Sequence, residues 1–320
     1  MYKTNELSLP DIIKKYNLIM LIFYFAILTI IFAPEFLSLI NILNVLRRAS
    51  FTGIVSIGMT FVILIGGIDL SVGYMGNMAG MLYCFLIIVG MPIFLAMLIA
   101  VVAGGILGFV SGSIIQRFEI PSYIVTIAMQ MVAQGLALSF TDGIVITGLP
   151  RDFSIIGKIY LFKLIPLTTF IWVVLTVISV LLLKYTQFGK RIYTIGRNRK
   201  AAQLSGINVK KYSILVFVIS GCLAAFAGVM MASYLNSGQP VVMVQGETNA
   251  VASVVLGGTS MRGGIGGVGG TFGGVILMEI ITTLFYLINI PSFTQYIFKG
   301  MIIVGAIILN KYTRSVNRLD

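Results

Sequence analysis

The stretch Gly66-Gly67-Ile68-Asp69-Leu70-Ser71-Val72-Gly73 places one carboxylate among three glycines, between the apolar runs 51–65 and 74–89. An ionisable group at bilayer depth is costly unless it faces protein or water, so it indicates a functional site. Non-helical backbone at that depth is tolerated only where it is buried in protein or lines a cavity. The alternative is a loop just outside the membrane, in which Asp69 is solvated. Composition alone leaves both interpretations open.

The composition is that of a membrane protein. The chain is 58% hydrophobic and 10% charged, with a mean hydropathy of +1.03, whereas soluble domains carry about 25% charged residues. Several windows hold enough nearly uncharged residues to cross a bilayer, and the alternating pattern of barrel strands is absent. We therefore predict an all-α polytopic membrane protein. The first apolar run, 18–32, lacks a small-residue cleavage site after it and is expected to be a retained span.

Ten membrane spans are predicted, of which the range 248–259 is short enough to be a half-helix. They cover 18–32, 51–65, 74–89, 93–115, 122–140, 164–183, 212–234, 248–259, 267–287 and 296–309. A cytoplasmic N-terminus puts sixteen of the 22 basic residues inside and five outside, which satisfies the positive-inside rule with both ends cytoplasmic. Arg47 and Arg48 fall on the outer side, in an interfacial stretch over 41–50, where we expect them to snorkel.

Several classes of function are excluded by what the chain lacks. Its net charge of +12 comes without a soluble basic domain or a nucleic-acid motif, so positive loops explain it better than a nucleic-acid partner. There is no histidine, which rules out imidazole relays and imidazole metal sites. Cys84 and Cys222 fall in apolar runs and are read as small core residues. We predict neither catalytic nor metal-binding residues.

The glycine-rich stretch 264–269 matches the dinucleotide fingerprint, but no soluble strand precedes it, so the match is a false positive. The chain also lacks a Gly-x-x-x-x-Gly-Lys-Ser/Thr loop and cannot hydrolyse ATP through that motif. Gly266, Gly270 and Gly274 recur at four-residue spacing, which favours close packing of helix backbones.

The longest polar segment, 184–211, is too short for an independent domain and is predicted to act as a cytoplasmic loop. Within it, 197–206 reads as a short helix with Asn198 as N-cap and Gly206 as the glycine that ends it. Such a helix would expose Ala201, Ala202 and Leu204. That face indicates either a partner surface or a helix lying on the membrane, anchored by its arginines.

Three stretches resemble the permease subunits of bacterial ABC importers for ribose and related monosaccharides. The first is 67–73 (GIDLSVG), after the lead-in 41–47 (NILNVLR). The second runs from Gly196-Arg197-Asn198 through Ala201-Ala202 to Leu204-Ser205-Gly206-Ile207. The third is 250–264 (AVASVVLGGTSMRGG). The likeness covers nearly the whole chain in order. Before the third stretch this chain has Gly246-Glu247-Thr248-Asn249, where the family usually has an aromatic residue and a leucine around a glutamate, a departure that bears on the identity of the sugar.

The resemblance implies the ten-span fold of the larger ABC importer permeases, with 1–320 as one transmembrane domain and 184–211 as its coupling loop. It also implies two permease copies or two related permeases, cytosolic ATPases that hold ATP and Mg, and an external sugar-binding protein. This chain itself would bind no cofactor and would lie in the plasma (inner) membrane. The expected solute is a ribose-like pentose, a hexose or a related furanosyl compound.

A neutral sugar needs a few hydrogen-bonding groups along its path but no deep binding well. The candidate pathway residues are Gly66, Gly67, Asp69, Ser71, Gly73, Asn77, Glu247 and Asn249. The candidate ATPase-coupling residues are Gly196, Arg197, Asn198, Ala201, Ala202, Leu204, Ser205 and Gly206.

Two other classes stay open. One is a branched-chain amino-acid or nucleoside ABC permease. The other is an ion-coupled secondary transporter with Asp69, Glu247 and Glu279 as relay or ion-site carboxylates. Glu279 could also pair with Lys299 across helices, with no mechanistic role.

Overall fold

The computed structural model describes residues 9–316, which fold into α-helices joined by short turns and one two-stranded hairpin. The helices are α1 (Leu9–Phe32), α2 (Leu39–Leu64), α3 (Val72–Ile88), α4 (Ile93–Phe118), α5 (Ser122–Ser139), α6 (Ile155–Lys158), α7 (Leu167–Tyr185), α8 (Gln187–Arg197), α9 (Arg199–Leu204), α10 (Val209–Leu235), α11 (Gly246–Leu256), α12 (Val268–Leu287) and α13 (Ser292–Val316). Strands β1 (Tyr160–Leu161) and β2 (Ile165–Pro166) pair antiparallel before α7. Two 3-10 turns, Pro34–Leu37 and Arg151–Ser154, complete the described elements.

Helix α10 is the centre of the bundle and packs against α2, α3 and α4. Its glycines make these contacts close. A Cβ added at Gly221 would overlap the carbonyl of Gly104 in α4, and one added at Gly228 would overlap the carbonyl of Gly76 in α3. Helices in lipid associate through such van der Waals contact between backbones. The small residues therefore fix how α3 and α4 sit on α10.

Helices α11 and α12 pack in the same way, through the glycines at four-residue spacing. Gly270 lies against the carbonyl of Gly257, and Gly274 lies against the carbonyl of Ser253. The predicted packing role is confirmed for these two glycines. Gly266 instead lies in the turn before α12, where its φ of +115° is a conformation that favours glycine.

Each of the ten predicted spans overlaps one helix of the structure. Among the described residues, six helices are long and apolar enough to cross a membrane, namely α2, α4, α5, α7, α10 and α12. Residues 18–32 of α1 and helix α3 are apolar but shorter, and α11 has only 11 residues. The chain is thus an all-α polytopic membrane protein, and the count of ten crossings remains a prediction.

The outer surface of the bundle suits a hydrocarbon environment. Phe94 and Phe109 on α4 and Met131 on α5 are 70%, 55% and 71% exposed. Large exposed apolar surfaces mark contact with a membrane or another protein. Helix α2, by contrast, is buried at nearly every position from Ala49 to Leu64. It therefore lies inside the bundle.

Candidate functional site

Residues 65–71, between α2 and α3, form a break in the helices whose backbone is tied to the neighbouring α5. The amide of Ile68 donates to Ser122 Oγ at 2.9 Å, and the amide of Leu70 donates to Thr126 Oγ1 at 3.1 Å. Gly66 turns the chain at a φ of +81°, which a side chain would strain. Protein partners thus satisfy this irregular backbone, as is required of non-helical chain at membrane depth.

Asp69 is completely buried and is held by hydroxyl groups. Its Oδ1 accepts hydrogen bonds from the Ser71 amide at 3.1 Å and the Ser71 hydroxyl at 2.5 Å. Its Oδ2 accepts from the hydroxyl of Ser220 at 2.9 Å. Ser220 lies near the middle of the 27-residue α10, so the carboxylate lies deep in the bundle and not in a solvated loop. In this arrangement Asp69 braces the break and presents no surface to a solute.

The first turns of α3 and α11 meet beside the break. Gly73 lies so close to the carbonyl of Met243 and the carboxylate of Glu247 that an added Cβ would come within 2.6 Å of both. One turn further along α3, Asn77 Oδ1 accepts from the Met243 amide at 2.8 Å. Asn77 Nδ2 and Glu247 Oε2 are buried without a hydrogen-bond partner. Buried polar atoms of this kind call for a partner, which a water molecule or a solute hydroxyl could supply.

The predicted pathway residues therefore fall into two places. Seven of them lie together around the break: Gly66, Gly67, Asp69, Ser71, Gly73, Asn77 and Glu247. Of these seven, Gly66 is exposed, Glu247 is half-buried and the others are buried. Asn249 lines a separate cavity with Glu279. Their role in translocation stays a prediction.

The predicted cytoplasmic helix is present as α9. Asn198 caps it, with Oδ1 accepting from the amide of Ala201 at 3.0 Å, and Gly206 follows its end with a φ of +79°. Both cap assignments are confirmed. The apolar side chains divide, however: Ala202 is completely buried, whereas Leu204 is 89% exposed. Ala202 thus anchors α9 to its own chain, where it packs with Ile195 and Val209, and Leu204 is left facing outward.

Two of the stretches that carry the resemblance, 196–207 and 250–264, meet the end of α2, just before the stretch 67–73, at one backbone junction. The carbonyl of Leu64, at the end of α2, accepts a hydrogen bond from the amide of Gly264 at 2.9 Å. Gly196, near the end of α8, lies against both groups so closely that a Cβ would overlap the Leu64 carbonyl. Gly263 completes the junction at a φ of +85°. No side chain separates these backbones, so α8 packs directly on the end of α2.

Helix α8 is also tied to the turn before α12. Tyr193 Oη donates to the carbonyl of Gly266 at 2.8 Å. Partial burial raises the pKa of Tyr193 above its ordinary value, which keeps the hydroxyl protonated as a donor. Beside it, a cavity of about 570 Å³ is lined by Lys184, Lys190 and Arg197. This cluster of positive charge agrees with the predicted cytoplasmic position of α8.

Arg47 is buried and does not snorkel as expected, whereas Arg48 is partly exposed and also has a partner within the bundle. Arg47 is 8% exposed, and its guanidinium carbon lies 4.9 Å from the ring centroid of Tyr160 and 5.1 Å from that of Tyr234. Arg48 Nε lies 3.7 Å from Glu279 Oε2. Glu279 thus makes its close ion pair with Arg48, and the charge of Lys299 acts on the carboxylate from a greater distance. The sequence pattern missed this pair because Arg48 was assigned to the interface.

The part of the chain between residues 9 and 316 brings no three Asp, Glu, Cys or His side chains together as a metal site. Cys84 is buried, Cys222 is half-buried, and both are free thiols. The chemistry available at the break is therefore hydrogen bonding by hydroxyl, amide and carboxylate groups.

Comparison with known proteins gives one consistent result. The family model described as "Branched-chain amino acid transport system / permease component" matches residues 41–307. The ribose import permease protein of Haemophilus influenzae is 38% identical over 94% of both chains. That of Bacillus subtilis is 38% identical over 91% of this chain and 90% of its own. The L-arabinose ABC transporter permease protein of Azospirillum brasilense is 35% identical over 89% of this chain and 84% of its own. No solved structure matches the chain.

Proposed function

This chain belongs to the permease family described as "Branched-chain amino acid transport system / permease component", and we propose that it is the transmembrane subunit of an ATP-driven monosaccharide importer. The solute would be a ribose-like pentose, a hexose or a related furanosyl compound, delivered by an external binding protein. The names of the relatives, ribose and L-arabinose permeases, support a monosaccharide.

The observation that carries the mechanism is the junction of Leu64, Gly196 and Gly264. It joins helix α8 to the end of α2, which leads into the break, through close backbone contacts, and α9 is attached to the same end through the packing of Ala202 and Ile195 with Ile65. A closed pair of ATPases that pulls on α9 would therefore shift the end of α2 and, with it, the polar groups around the break. A ligand or partner changes a conformational equilibrium only through differential contacts with the two states. Here the ATPase supplies them at α9.

The break suits a solute that is neutral and carries hydroxyl groups. The groups there that lack a partner are Asn77 Nδ2 and Glu247 Oε2, whereas the buried Asp69 carboxylate is already held by serine hydroxyls. A sugar hydroxyl can both donate and accept, so it can exchange hydrogen bonds with such groups without bringing a charge into the bundle. Selection and tight binding would reside in the external protein.

Energy and assembly would come from partners. Two cytosolic subunits would hydrolyse ATP with Mg, and this chain would bind neither. A second copy, or a related permease, would form the other wall of the path. The chain would lie in the plasma (inner) membrane. Both of its termini would face the cytoplasm, as the distribution of basic residues favours.

The test of this function is uptake in cells. We expect deletion of the gene to abolish uptake of one labelled monosaccharide, and a plasmid copy to restore it. Uptake of labelled leucine and of a nucleoside in the same cells provides the control. Loss of leucine or nucleoside uptake with intact sugar uptake would assign the chain to another branch of the family.

A further inference from the structure

A cavity of about 180 Å³ lies between α2, α10, α11, α12 and α13, apart from the break. Three ionisable side chains line it: Arg48, Glu279 and Lys299. Asn249, Thr52 and Thr282 add an amide and two hydroxyls. Ionisable groups in membrane helices are rare and mark solute or ion pathways by default. This cluster is therefore unusual for a part of the bundle that is otherwise apolar.

Within the cluster the carboxylate of Glu279 and the guanidinium of Arg48 each have two partners. Thr52 Oγ1 donates to Glu279 Oε1 at 3.0 Å, and Arg48 Nε lies 3.7 Å from Oε2. Arg48 Nη2 also donates to the hydroxyl of Thr283 at 2.9 Å. Lys299 lines the same cavity, and its charge interacts with Glu279 from beyond the distance of the Arg48–Glu279 ion pair.

The charges favour a neutral polyol over a cation. Two cations face one carboxylate, so a sodium ion or an extra proton would meet a net positive charge. Vicinal hydroxyls of a sugar, in contrast, can donate to the carboxylate while they accept from the guanidinium and the ammonium. The ring of Phe51 and the side chains of Met231 and Met278 offer the apolar wall against which the C–H face of a sugar could lie.

The cavity is large enough to hold several water molecules. At roughly 30 Å³ for each water molecule of the liquid, it holds about six waters. Displacing them with one monosaccharide would exchange water hydrogen bonds for those of the cluster. The net gain in binding free energy is modest, because the sugar exchanges hydrogen bonds with water for hydrogen bonds with the cluster. Such weak binding suits a solute in transit, which must not be held tightly.

We propose that the cavity lined by Arg48, Glu279 and Lys299 is a transient binding site for the monosaccharide, separate from the break at Asp69. The proposal rests on the proposed function, since it names a second position on the same path. Glu279 accepts from sugar hydroxyls, Arg48 and Lys299 donate to them, and Asn249 does either. The site adds Arg48, Glu279 and Lys299 to the residues that contact the solute.

Cysteine labelling tests the site without relying on transport. In a chain with Cys84→Ala and Cys222→Ala, a cysteine is introduced as Thr282→Cys or, separately, as Asn249→Cys. The complete importer in proteoliposomes is treated with a small charged thiol reagent. The matched control is Thr176→Cys, on a buried face of α7 outside this cavity. Gel filtration shows whether each variant is folded.

We expect both cavity cysteines to react and the control to remain unlabelled. A high concentration of free monosaccharide should slow the labelling severalfold, whereas glycine betaine at the same osmolality should not. Absence of labelling in both cavity variants, or labelling that the sugar does not slow, would overturn the site. Sugar uptake by the parent importer tests the proposed function separately. If the parent takes up the sugar but the sugar does not slow the labelling, the site alone is refuted. If the parent takes up no sugar, the proposed function is refuted.

Discussion

The carbonyl of Leu64 and the amide of Gly264 are joined by a 2.9 Å hydrogen bond that ties the end of α2 to the turn before α12. Gly196 of α8 is packed onto both groups. The segment expected to meet the ATPase is thus in backbone contact with the segment that leads into the break.

Replacing Gly196 with alanine should reduce sugar uptake strongly, because the new Cβ has no room beside the Leu64 carbonyl. Overpacking a close contact typically costs about 1–3 kcal/mol, and here the distortion falls on the junction itself. Gly300→Ala is the matched control, since an added Cβ there meets nothing within 4 Å. Uptake and ATPase co-purification are measured for both. Parental uptake by Gly196→Ala would refute a role of the junction in coupling.

Leu204→Glu should weaken co-purification of the ATPase with tagged permease while the permease itself remains folded, because Leu204 is 89% exposed. Ala202→Glu should instead lower the yield of folded permease, since Ala202 is completely buried. Phe162→Glu, at a 94% exposed position before α7, is the control for a surface charge. If the ATPase co-purifies equally well with Leu204→Glu and the parent, α9 does not dock through Leu204.

Asp69→Leu should destabilise the permease more than Asp69→Asn, because leucine leaves the donors of Ser71 and Ser220 unpaired in a buried site. Each unpaired buried donor costs about 1–3 kcal/mol. Ser111→Ala removes a buried hydroxyl that has no partner and serves as control. Thermal unfolding in detergent gives the order of stabilities. A parental melting temperature for Asp69→Leu would contradict the bracing role.

Asn77→Leu should release the Met243 amide, whose acceptor is Asn77 Oδ1 at 2.8 Å. We expect faster hydrogen exchange at Met243 and its neighbours and unchanged exchange in α4. The change localises because the hydrogen bond fixes the chain before α11 onto α3. Exchange at Met243 that is as slow as in the parent would show that other contacts hold this chain.

Reporter fusions should place α8 and the hairpin of β1 and β2 on opposite sides of the membrane. We expect alkaline phosphatase to be active when inserted after Phe162 and inactive after Gln203, and green fluorescent protein to fluoresce only at the second site. The basic residues of 184–211 motivate this orientation. The reverse pattern of reporter activity would show that the chain has the opposite orientation in the membrane.

Much of the fold follows from the sequence. The length of an apolar run indicates where a membrane helix lies, and the spacing of glycines indicates where two helices pack closely. The ten apolar ranges each correspond to a helix, and Asn198 and Gly206 bound α9 as their side-chain chemistry predicts. The packing of Gly270 and Gly274 on α11 was predictable for the same reason. These are local properties of the chain.

The partners of individual side chains were not predictable, because they depend on which helices become neighbours. Nothing near Asp69 in sequence indicates Ser220, and nothing near Arg48 indicates Glu279. The burial of Ala202 likewise depends on Val209 and Ile195 folding over α9. Contacts across the bundle of this kind become visible only with the structure.

The most direct test of the central claim is reconstitution of this chain with its ATPase and binding protein in proteoliposomes. We predict that uptake of labelled monosaccharide requires ATP hydrolysis and the loaded binding protein, and that ionophores which collapse proton and sodium gradients leave it unchanged. Uptake by the permease alone, driven by an imposed ion gradient and indifferent to ATP, would contradict the account and indicate a secondary transporter.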